Sequence, residues 1–338
     1  MRAMVLGRLA SLDENPEPLE LVEMERPRPR RGELLIKVAV CGVCHTELDE
    51  IEGRTPPPRL PVVPGHEIVG FIDEASRSDR FRPGQRVGVG WIHSSSGAAD
   101  ENLGTAFRAT GRDANGGYAE YVTVPEDYAY PIPEIFPDAE AAPLLCAGAV
   151  GYRALRLARL EDGQILGLTG FGGSAHLVLQ VARYLYPSSR VFVFARSPKE
   201  REFALQLGAD WSGDTGDEPP EKPHAIIDTT PAWKPVLAAL QALRPGGRLV
   251  INAIRKEDGD RDLMAGISYE HHLWMEKEVK TVANVTQHDL REFLPIAAAI
   301  PLHVEVEVYP LEKANQALRD LRAGHVRGAK ALKISAAD

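Results

Sequence analysis

Between residues 32 and about 130 the chain alternates short apolar, β-branched runs with clusters of Gly and Pro: ELLIKVAV, HEIVGFIDEA, QRVGVGWI and AEYVTV. Runs of this length bounded by turn-forming residues predict an antiparallel β domain. Over 138–160 the pattern changes, and DAEAAPLLCAGAVGYRALRLARL has helical composition and helical spacing of its apolar positions. Strand-like and helix-like segments then alternate. QILGLTG, RVFVFA, AIID and RLVINAI read as strands, with SAHLVLQVARYLY, PKEREFALQLGA and KPVLAALQALRPGG as the intervening helices. Such alternation predicts a parallel, doubly wound sheet and an α/β fold. Beyond about residue 283, HDLREFLPIAAAI, LHVEVEVY and LEKANQALRDLRAG predict helix, strand and helix packing back on the first domain.

A chain of 338 residues is long for a single core, which agrees with two domains. Acids outnumber Lys and Arg by 48 to 39, so there is no basic footprint and nucleic acid is not an expected partner. No run approaches the roughly 20 apolar residues that span a bilayer, and MRAMVLGRLASLDENPEP does not read as a signal peptide. A cytoplasmic protein without a membrane partner is expected. In a reducing compartment Cys41, Cys44 and Cys146 would remain thiols, available for metal binding or nucleophilic chemistry. Redox exchange by the C-x-x-C of CGVCHTELD fits poorly, because that motif belongs at the start of a helix in a thioredoxin-like unit and here it follows a β run.

LGLTGFGGSA sets Gly170, Gly172 and Ala175 in G-x-G-x-x-A spacing, after an apolar strand and at the head of a helix. Gly170 would permit the tight turn, Gly172 the approach of backbone to a pyrophosphate, and Ala175 close helix–strand packing. The candidate dinucleotide contacts are Gly170, Gly172, Gly173, Ser174 and, after a later strand, Asn252; the alternative is a turn that uses glycine for geometry alone. At the end of the second strand, where NAD sites usually carry a carboxylate for the ribose hydroxyls, stand Ala195, Arg196 and Ser197. With no acid there to repel a phosphate, Arg196 and Ser197, helped by Lys199, favour NADP over NAD. The alternative has Arg196 stacked on the adenine or turned to solvent.

Cys44, His66 beside Glu67, and Cys146 are spread over a hundred residues, each at a boundary between an element and a loop. Two thiolates and an imidazole match the three protein ligands of a catalytic zinc. Taken singly, a buried Cys is usually a small core hydrophobe and a lone His a loop residue.

CGVCHTEL, PGHEIVG, GGYAEYV, LLCAGAVGYRAL, GFGGSAH and LRPGGRLV, in this order and at these separations, resemble the zinc-dependent alcohol dehydrogenases of the medium-chain dehydrogenase/reductase superfamily. The likeness runs through essentially the whole chain. It implies a GroES-like β-rich catalytic domain over 1–147, a Rossmann cofactor domain over 148–283 and a C-terminal part, 284–338, returning to the catalytic domain. It implies an enzyme interconverting alcohols, by default primary ones, and aldehydes or ketones by hydride transfer to or from a nicotinamide cofactor. By the same resemblance Cys44, His66 and Cys146 would bind a catalytic zinc, and Glu67 would be a carboxylate able to approach the metal. Thr46 would be the hydroxyl that relays the alcohol proton, His45 a contact of the cofactor pyrophosphate, and Cys41 a packing residue.

Three departures from the family pattern stand out. Asp49 occupies the place of a common terminal proton acceptor, histidine; it is either a relay group of different pKa or an exposed loop acid. Glu47 stands where a shorter Asp often supports the ligands, with its reach open. In GWIHSSSGAADENLGTAF, where classical members carry four cysteines around a structural zinc, Ser96 and Gly104 mark the ends of a shortened lobe without cysteine. One zinc per subunit is therefore expected. VKTVANV at 279–285 is the candidate edge strand for a homodimer or homotetramer. The rivals are a zinc-free quinone or enone reductase of the same superfamily and a non-catalytic nucleotide-binding protein.

Overall fold

The computed structural model describes every residue except 77, 301, 325–327 and 335–338. The chain divides into two compact units, Met1–Cys146 with Val285–Asp338, and Ala147–Asn284.

The first unit opens with an antiparallel pair, β1 (Arg2–Leu6) and β2 (Leu19–Glu23). The run ELLIKVAV lies in β3 (Glu33–Val43), which is buried over most of its length because it has partners on both edges. Helix α1 (His45–Ile51) follows at once. Then come β4 (Ile68–Ala75), β5 (Arg86–Val89), β6 (Ile92–Ser94), β7 (Arg108–Ala109), β8 (Tyr121–Pro125) and β9 (Ala129–Pro131). β3 pairs antiparallel with β4 and, along its first half, with β8. QRVGVGWI is thus divided at Gly90 and Trp91 between two strands that belong to different sheets.

The helical stretch at 138–160 is interrupted. α2 (Asp138–Ala141) passes into a 3₁₀ turn, Ala142–Leu145, and α3 (Ala147–Ala158) begins only after Cys146. Pro143 has no N–H to continue an α-helix, and Cys146 leaves helical geometry at φ −129°, ψ −77°.

The second unit is a single parallel sheet. Its strands are β10 (Ile165–Thr169), β11 (Arg190–Phe194), β12 (Trp211–Gly213), β13 (Ala225–Asp228), β14 (Arg248–Ile251) and β15 (Glu278–Thr281). Helices α4 (Ala175–Leu185), α5 (Pro198–Gln206) and α6 (Lys234–Ala242) connect them. The order β12-β11-β10-β13-β14-β15 reverses between β10 and β13, as in a Rossmann sheet. β10 is buried at every position, as a central parallel strand must be, whereas β15 is exposed at every position and forms an edge.

The tail rejoins the first unit as α7 (Gln287–Ala299), β16 (Val306–Pro310), α8 (Ala314–Arg322) and β17 (Ala329–Lys333). β17 inserts between β16 and the second half of β3. It goes beyond the helix, strand and helix expected from the pattern, because AKALK has no clean alternation: Lys330 is buried, its ammonium held by the Tyr309 hydroxyl at 2.9 Å and by Glu307.

Candidate active site

Where β3 ends, Cys44 adopts an extended backbone as the N-cap of α1, and its N–H donates to Glu47 Oε2 at 2.8 Å. The first turn of α1 therefore carries Glu47 back toward the cap, and it buries Thr46, Glu47 and Asp49 together. The other side of the site comes from the loop before β4. Gly65 has φ +98°, and an added Cβ would lie 2.4 Å from the Tyr118 ring, so the turn that delivers His66 admits only glycine.

His66 is buried and turns Nδ1 to Glu47 Oε1 at 2.5 Å. Its Nε2, also buried, has no hydrogen-bond partner. Cys44 Sγ lies 3.9 Å from Cys146 Sγ, which the break between α2 and α3 delivers, and 3.6 Å from Thr46 Oγ1. One donor atom from each of Cys44, His66, Glu67 and Cys146 falls within 4.8 Å of the other three. Glu67 packs on Gly42, where a Cβ would come 1.8 Å from its Oε2. Cys41 is outside the cluster: fully buried on β3, it packs against Gly65 and Gly117.

The charges within this cluster are crowded. The Cys146 thiol, by hydrogen bonding, holds Cys44 well below the usual thiol range against the effect of burial, and His66 adds to this. Cys146 is pushed up by the same hydrogen bond and by burial, and Glu67 by burial and then by Cys44. Burial opposes a charged His66, yet Glu47 and Cys44 raise it well above its ordinary value. Several potential anions thus face one imidazole, with His66 and Glu67 buried and the two cysteines half-buried, an environment that favours a bound cation.

Asp49 is not an exposed loop acid. Its carboxylate is buried and accepts from Arg54 Nε at 2.5 Å, while its backbone carbonyl accepts from the N–H groups of Arg54 and Thr55. His45, the first residue of α1, is exposed.

In the second unit Gly170 takes φ +75° at the end of β10, and a Cβ there would meet Thr230 at 2.8 Å. At Gly172 a Cβ would meet nothing within 4 Å, so the backbone borders open space. Gly173 and Ser174 follow at the head of α4; Ser174 Oγ donates to the Ala147 carbonyl at 2.9 Å and accepts from Asn252 Nδ2 at 3.3 Å. Arg196 is exposed just beyond β11, with Ser197 as the N-cap of α5.

Residues 30–134 match the alcohol dehydrogenase GroES-like domain family, and 209–330 the zinc-binding dehydrogenase family. A probable alcohol dehydrogenase, AdhA, of Mycobacterium tuberculosis is 42% identical over 329 residues, 94% of this chain and 93% of the relative. The chain belongs to the medium-chain alcohol dehydrogenases. An alcohol dehydrogenase of Geobacillus stearothermophilus is 32% identical over 97% of this chain and 99% of the relative. Among solved structures, a cinnamyl alcohol dehydrogenase of Sorghum bicolor superposes with a TM-score of 0.82 at 26% identity, covering 100% of this chain and 98% of that one. This medium-chain alcohol dehydrogenase is an NAD(P)-dependent enzyme that interconverts alcohols and carbonyl compounds.

The lobe of the dehydrogenase that lacks the family's four cysteines holds a residue that the sequence did not bring forward. Glu101 is buried, and its carboxylate accepts from Gly97 N–H at 3.0 Å, from the Tyr128 hydroxyl at 2.7 Å and from Gln287 N–H at 2.7 Å. It ties the lobe to the chain after β8 and to the start of α7. Two of its three donors are backbone groups, so no side-chain motif signals it. Ser96 and Gly104, the ends of the lobe, are exposed.

Proposed function

We propose that Cys44, His66 and Cys146 hold one catalytic zinc per chain, with Glu67 as a further donor, and that the enzyme uses it to interconvert primary alcohols and aldehydes. The observation that carries this reading is the buried Nε2 of His66, without a partner and facing two sulfurs and a carboxylate. Buried polar side-chain atoms are bonded in the large majority of cases, and what sets this nitrogen apart is the pair of sulfurs and the carboxylate gathered within 4.8 Å of one another around it. Bound there, zinc supplies Lewis acidity toward the alcohol or carbonyl oxygen.

The chain's own residues do the rest. Glu47 takes the Nδ1 proton of His66 in a hydrogen bond, which fixes the ring and leaves Nε2 as the ligand atom. Oxidation removes a hydride from the alcohol carbon and a proton from its oxygen; the Thr46 hydroxyl, beside Cys44 Sγ, is the group that relays this proton, passing its own on toward the cofactor ribose as it takes the alcohol's. Asp49, whose carboxylate accepts from Arg54, holds the end of α1 and is the proposed acid at the far end of the relay. In the Rossmann unit Gly170, Gly172, Gly173, Ser174 and Asn252 frame the dinucleotide, and His45 meets its pyrophosphate. Arg196 and Ser197 favour NADP, since no carboxylate stands at the end of β11 to exclude a 2′-phosphate. The exposed edge β15 is the proposed seam of a homodimer or homotetramer. Among the described residues no helix is long and apolar enough to cross a membrane, and we assign the enzyme to the cytoplasm.

The test is aldehyde-dependent oxidation of NADPH and NADH across a panel of aldehydes, with and without complete zinc removal. Activity surviving without zinc would favour a zinc-free reductase, and a clear preference for NADH would overturn the role given to Arg196.

A further inference from the structure

At the point where the strand order of the Rossmann sheet reverses, the carboxylate of Asp228 is fully buried at the end of β13. Its Oδ1 accepts from Thr169 Oγ1, at the end of β10, at 2.5 Å, and from Thr230 Oγ1 at 2.8 Å. The opposing cation is Lys256, from the loop that follows β14. Its ammonium, 7% exposed, bonds Asp228 Oδ2 and also donates to the Thr230 carbonyl at 2.6 Å. The same two loops meet again where Glu257 N–H donates to the Pro231 carbonyl at 2.7 Å, and where Asp260 accepts from the N–H groups of Trp233 and Lys234.

A buried ion pair needs a reason, because desolvation offsets most of its attraction. This one is placed where it does more than fill space. In a sheet of this order each half receives one mononucleotide of the cofactor at the carboxyl ends of its strands. The glycine loop after β10 and Arg196 after β11 belong to the half that takes the adenosine side. The loops after β13 and β14 belong to the other, and Lys256 joins them by two bonds to the chain at 228–230. Asn252, whose amide donates to Ser174 at the glycine loop, lies four residues before Lys256 on the same loop. We propose that Lys256 is a positioning residue for the nicotinamide half of the cofactor: it holds the loop after β14 against the loop after β13, so that the surface taking the nicotinamide nucleotide is formed before the cofactor arrives.

The inference rests on the Rossmann unit binding the dinucleotide, and its test separates the two. Dissociation constants are measured by fluorescence titration for the reduced dinucleotide the enzyme prefers, and by calorimetry for the matching adenosine fragment, 2′,5′-ADP or 5′-ADP. Three proteins are compared: wild type, Lys256→Met, and the doubly neutral Asp228→Asn/Lys256→Met, which leaves no unpaired buried charge. Loss of the two charge-assisted bonds is expected to weaken dinucleotide binding about tenfold or more in both variants, while the adenosine fragment binds as to wild type. Dinucleotide affinity within about twofold of wild type in either variant would overturn the proposal, since one bond pair is worth at least that. An equal loss of fragment and dinucleotide in both variants would also overturn it, in favour of a purely structural pair. Failure of wild type to bind either dinucleotide would instead remove the reading on which the proposal stands.

Discussion

Two polar clusters lie in the first unit and look alike in composition: each gathers a buried carboxylate and other polar groups. They differ in whether their bonding capacity is filled. At Glu101 the carboxylate meets three donors, two from backbone and one from Tyr128, and it connects three segments of chain. At Cys44, His66, Glu67 and Cys146 the acceptors crowd together around an imidazole nitrogen that has no partner. A saturated cluster stabilises the fold and has no need of a guest, whereas an unsaturated one, costly when left so, marks where a ligand belongs. The lobe that lacks the family's four cysteines is of the first kind, so its segments are cross-linked by hydrogen bonds and one zinc per chain is expected.

The largest effect that can break this contrast comes from the unsaturated cluster. Cys146→Ser is expected to lower zinc content from one per chain toward zero and to reduce kcat/KM by about a thousandfold or more, the scale of Lewis-acid stabilisation. Its far-ultraviolet circular dichroism should stay native, since the exchange replaces one atom of a half-buried side chain. Metal analysis and steady-state kinetics on one preparation check this. Full activity with no zinc would show that the unpartnered nitrogen was no marker of a ligand.

Glu101→Ala should do the reverse. Three donors lose their acceptor at once, so stability to urea should fall by about 3–5 kcal/mol. Zinc content should remain one per chain, and the folded fraction should keep near wild-type kcat. If zinc content of the wild type were two and fell to one in this variant, the lobe would be a metal site and the contrast would vanish.

The two clusters were unequally legible in the sequence. Cys44, His66 and Cys146 are residue types with few buried roles besides packing and ligation, and they stand in motifs whose order resembles one family. The fold brings together what spacing alone left a hundred residues apart. Glu101 has no such signature: it reads as one acid in a polar lobe, and Gln287 reaches it from 186 residues away through a backbone N–H. The reach of Glu47 depended also on where α1 starts, which is marked by the cap at Cys44. The break at Cys146 was hidden because alanine and leucine on both sides carry helical periodicity through it. β17 was hidden because a buried lysine broke its alternation. In the second unit the parallel sheet was plain from its repeating pattern, while the Asp228–Lys256 pair, joining two loops, had no periodicity to betray it.

Glu47 sharpens the contrast from inside the metal cluster. Glu47→Ala removes the acceptor for His66 Nδ1 and frees the ring to choose its tautomer and orientation. Zinc affinity, measured by competition with a chromogenic chelator, should fall by about 10–100-fold. Loss of stability without a change in zinc affinity would place Glu47 with Glu101, as a group that serves the fold alone.

The smallest effect tests the saturated cluster one bond at a time. Tyr128→Phe removes the hydroxyl from Glu101 Oε2 but leaves the two backbone donors, so the expected loss is about 1–2 kcal/mol. Its pH dependence is the more specific readout. Burial, and then the Glu101 carboxylate, push the Tyr128 hydroxyl above its ordinary value in the folded chain. The folded protein therefore keeps this proton where the unfolded chain, titrating near an ordinary tyrosine pKa of about 10, has released it. The stabilisation is present in full below that pKa and is lost as pH rises through the folded value. Urea denaturation at increasing pH above about 10 should show wild-type stability declining, and Tyr128→Phe declining less steeply. Tyr118 and Tyr130 are raised in the same direction by burial, so a residual slope remains in the variant. Identical slopes in the two proteins would mean that Tyr128 gives up its proton as readily folded as unfolded, and Glu101 would then be held by the backbone alone.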